Sequence, residues 1–216
     1  GRGAAPMTFT TPAFNLRALS YHAARAMFRA ANKINAGAFI FELARSEMSY
    51  TAQRPSEYAT NILAAAVAEG FVGPVFIQGD HFQVSAKKYT ADAQGELKAV
   101  RDLSIEAMAA GFFNIDVDTS TLVDISLPTV PEQQKLNCEL SAQLSAFIRE
   151  NEPKGVTISI GGEIGEVGTN NSTEPELRAY MDGYNSEMKK LAPGKPGLSK
   201  ISVLTGTSHG GTVLAD

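Results

Sequence analysis

The octapeptide FIQGDHFQ, Phe76 to Gln83, sets an apolar run against an acid and a histidine placed side by side. Imidazole nitrogen and carboxylate oxygen make up the donor set of divalent-metal catalytic sites, and a carboxylate beside such a ligand can move a proton. The chain has 3 histidines, so the pairing of Asp80 with His81 stands out. Comparable groupings recur: Asn15, then Glu42, Arg45, Ser46 and Glu47, then Asp116 and Asp118, then Glu163 and Glu166, then Thr207, Ser208 and His209. A single histidine more often serves as a structural hydrogen-bond partner. Two of them accompanied by three carboxylates shift the balance toward a cation. Asp116 and Asp118 stand two apart, so on a strand both project to one side, where burial demands a cation or hydrogen-bond donors. The alternative is that Asp118 opens a loop and caps the next helix.

The elements that must position these groups follow a regular rhythm. Each polar group closes a short apolar run, and each run precedes a helical stretch. PAFNLR (Pro12 to Arg17) leads into SYHAARAMFRAANKIN, with Ser20 as the expected N-cap. Phe39–Leu43 reads as a buried strand. SEYATNILAAAVAEG reads as a helix capped by Ser56 after Pro55, with Tyr58, Ile62, Ala66 and Leu63, Val67 at helical spacing and Gly70 at C′. The next strand follows the Gly73-Pro74 turn, a helix ends at Gly111, and FFNIDVD is again a strand. A helix over roughly 132–150, the strand in GVTISIGGEIG, the helix PELRAYMDGYNSEMKKL and the strand in KISVLTGTSHGG complete the series. Six strand-then-helix units, less the last helix, predict an α/β fold with parallel strands covered on both faces. The spacing suits a doubly wound sheet or a TIM (β/α)8 barrel. A full barrel takes about 250 residues and eight units, so the chain reads as a complete open sheet or as a barrel's first six units. In either case the C-terminal strand ends share the face on which active sites form.

Two glycine-rich stretches have weaker meaning. SIGGEIGEVG does not make G-x-G-x-x-G and no helix follows directly, which argues against a dinucleotide loop; its glycines let a loop pass close to a ligand near Glu163. TGTSHGG offers backbone N–H donors to a phosphate, or a simple turn.

Composition bounds the function class. The 216 residues carry a net charge of −4 with 44% hydrophobic and 19% charged content, ordinary for a globular protein and without the basic surplus of a nucleic-acid binder. No apolar run is long enough to cross a bilayer, and GRGAAPMTF lacks the apolar core of a signal peptide. Residues 1–10 read as a tag-like or disordered segment and 11–216 as the domain. The lone Cys138 excludes an internal disulfide and a cysteine-rich zinc cluster, so a reduced, cytoplasmic setting is expected. Asn171-Ser172-Thr173 matches a glycosylation acceptor but reads as a polar loop.

Taken in order, QGDHF, NIDVDTS, GGEIGEVG and TGTSHGG resemble the zinc-dependent class II ketose-bisphosphate aldolases, which include the fructose- and tagatose-1,6-bisphosphate enzymes. PAFNLR is similar to that family's first strand, and the resemblance covers the chain from about Thr11. It implies an incomplete (β/α)8 barrel and cleavage or formation of a C–C bond in a ketose (bis)phosphate, giving dihydroxyacetone phosphate and an aldehyde. It also implies Zn²⁺ or another divalent cation as cofactor and assembly into a homodimer or higher homo-oligomer, with a non-catalytic aldolase-like subunit as the alternative. The family's His-x-Asp-His segment is matched by Gln78-Gly79-Asp80-His81, which makes Asp80 the catalytic acid-base and His81 a metal ligand. His209, Glu163 and Asp118 join the metal set by the same matching. Asn15, Ser46, Gly210 and Gly211 fall at substrate-binding positions. Where the family carries its proton-abstracting Glu, the candidates are Glu166, taken as catalytic, and Glu174. The family's H-G-G-S-G segment after strand seven and its N-x-D after strand eight have no counterpart among the 216 residues.

Overall fold

The computed structural model describes residues 10–165 and 171–204. Six strands, β1 (Ala13–Asn15), β2 (Ile40–Ala44), β3 (Phe76–Gln83), β4 (Asn114–Asp118), β5 (Ser159–Glu163) and β6 (Lys200–Ser202), lie in one sheet in chain order. β1 with β2, β2 with β3 and β5 with β6 pair in parallel. A doubly wound sheet reverses its strand order at a switch point; this order has no reversal. Helices α1 (Ser20–Ile34), α2 (Arg45–Thr51), α3 (Pro55–Ala68), α4 (Ala86–Ala91), α5 (Ala93–Ala109), α6 (Val130–Asn151) and α7 (Glu174–Leu191) fill the connections, with a 3-10 turn at Ser120–Leu122. Among the described residues no helix is long and apolar enough to cross a membrane. Contacts divide the chain into two compact units, residues 1–82, 102–116 and 152–159 in the first and 83–101, 117–151 and 160–216 in the second.

In the first unit α1 packs on α3 over an aromatic core. The Phe28 ring lies 5.1 Å from Phe41 and 4.9 Å from Phe71, in tilted geometries that aromatic pairs favour. Phe28, Phe41 and Tyr58 are fully buried, each side chain contributing about 1.5–3 kcal/mol by leaving water. α3 ends as its sequence predicts. Gly70 adopts φ 61°, Phe71 N–H donates to Ala66 O and Gly70 N–H to Val67 O, the paired bonds of a Schellman cap. Its start differs from expectation: Pro55, not Ser56, opens the first turn, because a fixed φ and a missing N–H suit that position. Ser20 is likewise no cap. Leu19 holds that place in a left-handed conformation, while the buried Ser20 hydroxyl accepts from Gln53 Nε2 at 2.9 Å and Asn61 Nδ2 at 3.1 Å. Of the two apolar rows read on α3, only the one through Tyr58, Ile62 and Ala66 is buried; Leu63 and Val67 are 49% and 82% exposed. The strand expected over 39–43 runs one residue later, Ile40–Ala44, and leads directly into α2, a seven-residue helix without an apolar period to announce it.

In the second unit α6 packs on α7. Cys138, Ala142, Ala146, Ile164, Tyr180, Tyr184 and Met188 form the core between them. Burial raises the Cys138 thiol to about 11 and pushes the Tyr180 phenol upward as well. The helices approach closely because Gly183 offers no side chain: a Cβ there would stand 2.7 Å from Cys138 Sγ. In a helix interior Gly→Ala ordinarily stabilises by about 0.5–1 kcal/mol. We expect Gly183→Ala to reverse that sign, lowering unfolding free energy by about 1–3 kcal/mol through overpacking. Denaturant unfolding measures it, and a gain in stability would contradict the close approach.

Candidate functional site

In a regular strand neighbouring side chains point to opposite faces, so Asp80 and His81 should not meet. They do: Asp80 Oδ2 lies 3.8 Å from His81 Nε2. The cause is His81 itself, whose φ of 42° breaks the alternation within β3. Three other described non-glycine residues have positive φ, Leu19, Asn35 and Ala52, and each stands at a helix end. His81 alone among them lies inside a strand, where a left-handed conformation costs about 1–2 kcal/mol. The break carries the fully buried Phe82 ring over Gly79, where a Cβ would collide with it. Gly79 is thus required by the kink, and the kink turns acid and histidine toward one another.

A polar row crosses the first unit. Asn15, Glu42 and Gln78 are register partners on β1, β2 and β3. The buried Gln78 amide donates to Glu42 Oε2 at 2.9 Å and to Asp116 Oδ2 at 2.8 Å. Asn15 Nδ2 donates to Glu47 Oε2 at 2.7 Å, and the same carboxylate oxygen accepts Ala44 N–H at 2.9 Å, joining the ends of β1 and β2.

In the second unit, Asp118 ends β4 with a completely buried carboxylate. Oδ1 accepts the Ser120 N–H at 3.0 Å and hydroxyl at 2.5 Å, and Oδ2 accepts Gln83 Nε2 at 2.6 Å. Asp118 therefore does organise the following turn, as the plainer sequence alternative holds, and it also belongs to a cluster. A carboxylate oxygen of Asp118 and one of Glu163, at the end of β5, lie within 4.8 Å. Two oxygens on one tetrahedral zinc lie on the order of 3.5 Å apart, so a small side-chain movement lets both reach one ion.

A layer of α6 residues fixes these strand ends. Asn137 Nδ2 donates to Glu163 O at 2.9 Å, Gln134 Nε2 donates to Ile164 O at 2.6 Å, and Thr119 Oγ1 donates to Asn137 Oδ1 at 2.6 Å. Just past Glu163, Gly165 has φ 88°, and a Cβ there would meet Val123 Cγ2 at 2.6 Å. Just before it, Gly162 leaves room for the Tyr180 hydroxyl, which would lie 2.5 Å from a Cβ. The glycines of SIGGEIG thus allow close packing around Glu163. Sequence reasoning missed Gln83, the last residue of β3, and also Gln134 and Asn137, because polar residues on a long helix read as a solvated face; the recurrence of the latter two at i and i+3 on α6 was the available signal.

Of the residues expected in the site, Asn15, Asp80 and His81 belong to the first unit, and Asp118 and Glu163 to the second. Ser46 is exposed in the first turn of α2. Glu174 opens α7 and pairs with Arg178 at 2.6 Å along that helix. Glu166, His209, Gly210 and Gly211 lie outside the described residues, as do Thr207 and Ser208.

No protein-family model matches the sequence, and no curated protein matches it. Among solved structures, the fold is similar to the crystal structure of a probable tagatose 6 phosphate kinase from Sinorhizobium meliloti 1021, with a TM-score of 0.67 and 14% identity. That match covers 90% of this chain and 49% of the other, so the chain spans about half the length of the structure it resembles.

The strain at His81 predicts a sign. His81→Ala and His81→Gly remove the same imidazole, but only glycine relaxes a positive φ. His81→Gly should be the more stable of the two by about 1 kcal/mol, whereas ordinary strand backbone favours alanine by about 0.5–1 kcal/mol. Denaturation midpoints decide between them.

Proposed function

We propose that the chain is a metal-dependent aldolase of the class II type, a lyase built on the first six units of a (β/α)8 barrel and acting on a ketose (bis)phosphate. The observation that carries this reading is the carboxylate pair of Asp118 and Glu163 at the ends of β4 and β5, with Asp118 fully buried. His81 is the nitrogen ligand of the proposal. One imidazole and two carboxylates suit Zn²⁺ or a related divalent cation, and His209 is proposed as a further ligand. A bound cation would polarise the ketose carbonyl. Asp80, turned toward His81 by the kink, moves the proton of the hydroxyl whose carbon becomes the aldehyde. Glu166 is the proposed base on the ketone side, and Asn15, Ser46, Gly210 and Gly211 hold the substrate. The structural neighbour, a probable tagatose 6 phosphate kinase, supports a sugar phosphate as ligand class. A cytoplasmic homo-oligomer belongs to the same proposal.

A second reading has its own observation. Gln78, standing where the resembled family has histidine, is committed to Glu42 and Asp116. This favours a non-catalytic aldolase-like subunit.

Metal titration and aldol cleavage of the full chain separate the two. The aldolase reading expects a chelator-sensitive cleavage of ketose bisphosphate into dihydroxyacetone phosphate and an aldehyde. Asp118→Asn and Glu163→Gln should each weaken zinc affinity at least about tenfold and reduce cleavage in step. A wild-type chain that binds no divalent cation and cleaves nothing belongs to the subunit reading.

A further inference from the structure

We propose that Arg17, on the loop between β1 and α1, is the phosphate-binding residue of the site; the identity of the ligand as a sugar phosphate rests on the aldolase reading above. Three features of the first unit support it. Arg17 follows Asn15 by two residues, which puts it at the C-terminal end of β1, on the loop face where active sites of this architecture form. Its guanidinium is held from one side only: Nε donates to Asn15 Oδ1 at 3.3 Å and lies 3.1 Å from Glu47 Oε1. The two terminal nitrogens make no hydrogen bond among the described residues, and the side chain is 60% exposed. What remains is a planar fork of four N–H donors, aimed by its own base and open to solvent, the geometry that binds phosphate in bidentate fashion.

A plain surface ion pair explains less. Such pairs are worth about 0–1 kcal/mol and need no fixed orientation. Here Glu47 is buried, and its Oε2 is already committed to Asn15 Nδ2 and Ala44 N–H. The carboxylate serves the β1–β2 junction first and orients Arg17 second. Charge gives an independent reason. The polar row beside Arg17 carries Glu42 and Asp116, so a dianionic phosphate entering this end of the sheet meets repulsion unless a cation receives it. Arginine supplies that charge at every accessible pH and in the required planar form. The TGTSHGG stretch, whose backbone could also cradle phosphate, begins at Thr205, beyond the described residues' edge at 204, and so lies outside them.

The test is direct binding, read on the arginine. In ¹⁵N-labelled full-length chain, the Arg17 Nε–H resonance should shift saturably with inorganic phosphate and with dihydroxyacetone phosphate. It should stay in place with dihydroxyacetone, which lacks the phosphoryl group. Arg17→Gln should weaken phosphate binding at least about tenfold, and Arg17→Lys should fall between, keeping charge but losing the fork. If Arg17→Gln fails to fold, the lysine variant decides: weakened binding supports the proposal and wild-type binding overturns it. An unmoved Arg17 resonance, or phosphate affinity in Arg17→Gln within twofold of wild type, also overturns it. Phosphate binding that survives in a protein without cleavage activity counts against the aldolase reading while leaving Arg17 in place.

Discussion

A completely buried carboxylate is the constraint around which the second unit is organised. Asp118 cannot be left without donors, since an uncompensated buried charge costs several kcal/mol. Gln83 is therefore drawn to one oxygen and Ser120 to the other, which fixes the end of β3, the end of β4 and the turn that follows. Val84 N–H, donating to Asp118 O at 2.8 Å, adds a backbone bond at the same point. Glu163 is held nearby through its own backbone by Asn137, and the flanking Gly162 and Gly165 admit Tyr180, Val123 and Ser120 to close contact. Two acids are thus placed together by neighbours that satisfy one carboxylate and anchor the other's main chain.

The first unit meets a different constraint. An acid and a histidine adjacent in sequence would diverge on a flat strand, and only the left-handed backbone of His81 brings them to 3.8 Å. Strain of this kind persists where the surroundings over-determine it, and it concentrates at functional sites. Gly79 and the buried Phe82 ring supply that over-determination. The side-chain contact within the pair that makes FIQGDHFQ conspicuous as sequence thus follows from one kinked residue.

Much of the architecture was legible because buried strands are continuous apolar runs that stop at a polar residue. Asp118 and Glu163 do stand at strand ends. Helix ends marked by glycine, such as Gly70 and Gly111, were equally plain, since positive φ leaves few alternatives. Four kinds of feature were hidden. Serine caps and buried serine hydroxyls look identical in sequence, so Ser20 misled. An apolar row on a helix does not say which side faces the core, so Leu63 and Val67 misled too. Buried polar residues whose partners are distant in sequence, Gln134 and Asn137 above all, carry no local mark. A kink that depends on Phe82 crossing Gly79 is likewise invisible until the strand is built.

The central proposal is that Asp118 and Glu163, at the ends of β4 and β5, hold one divalent cation. Anomalous diffraction at the zinc edge, from crystals of the full chain grown with equimolar zinc, tests it most directly. The account predicts a single dominant peak bonded to a carboxylate oxygen of Asp118 and one of Glu163, at about 2.0–2.2 Å. Zinc bound elsewhere, or no peak at full zinc occupancy of the solution, would contradict it.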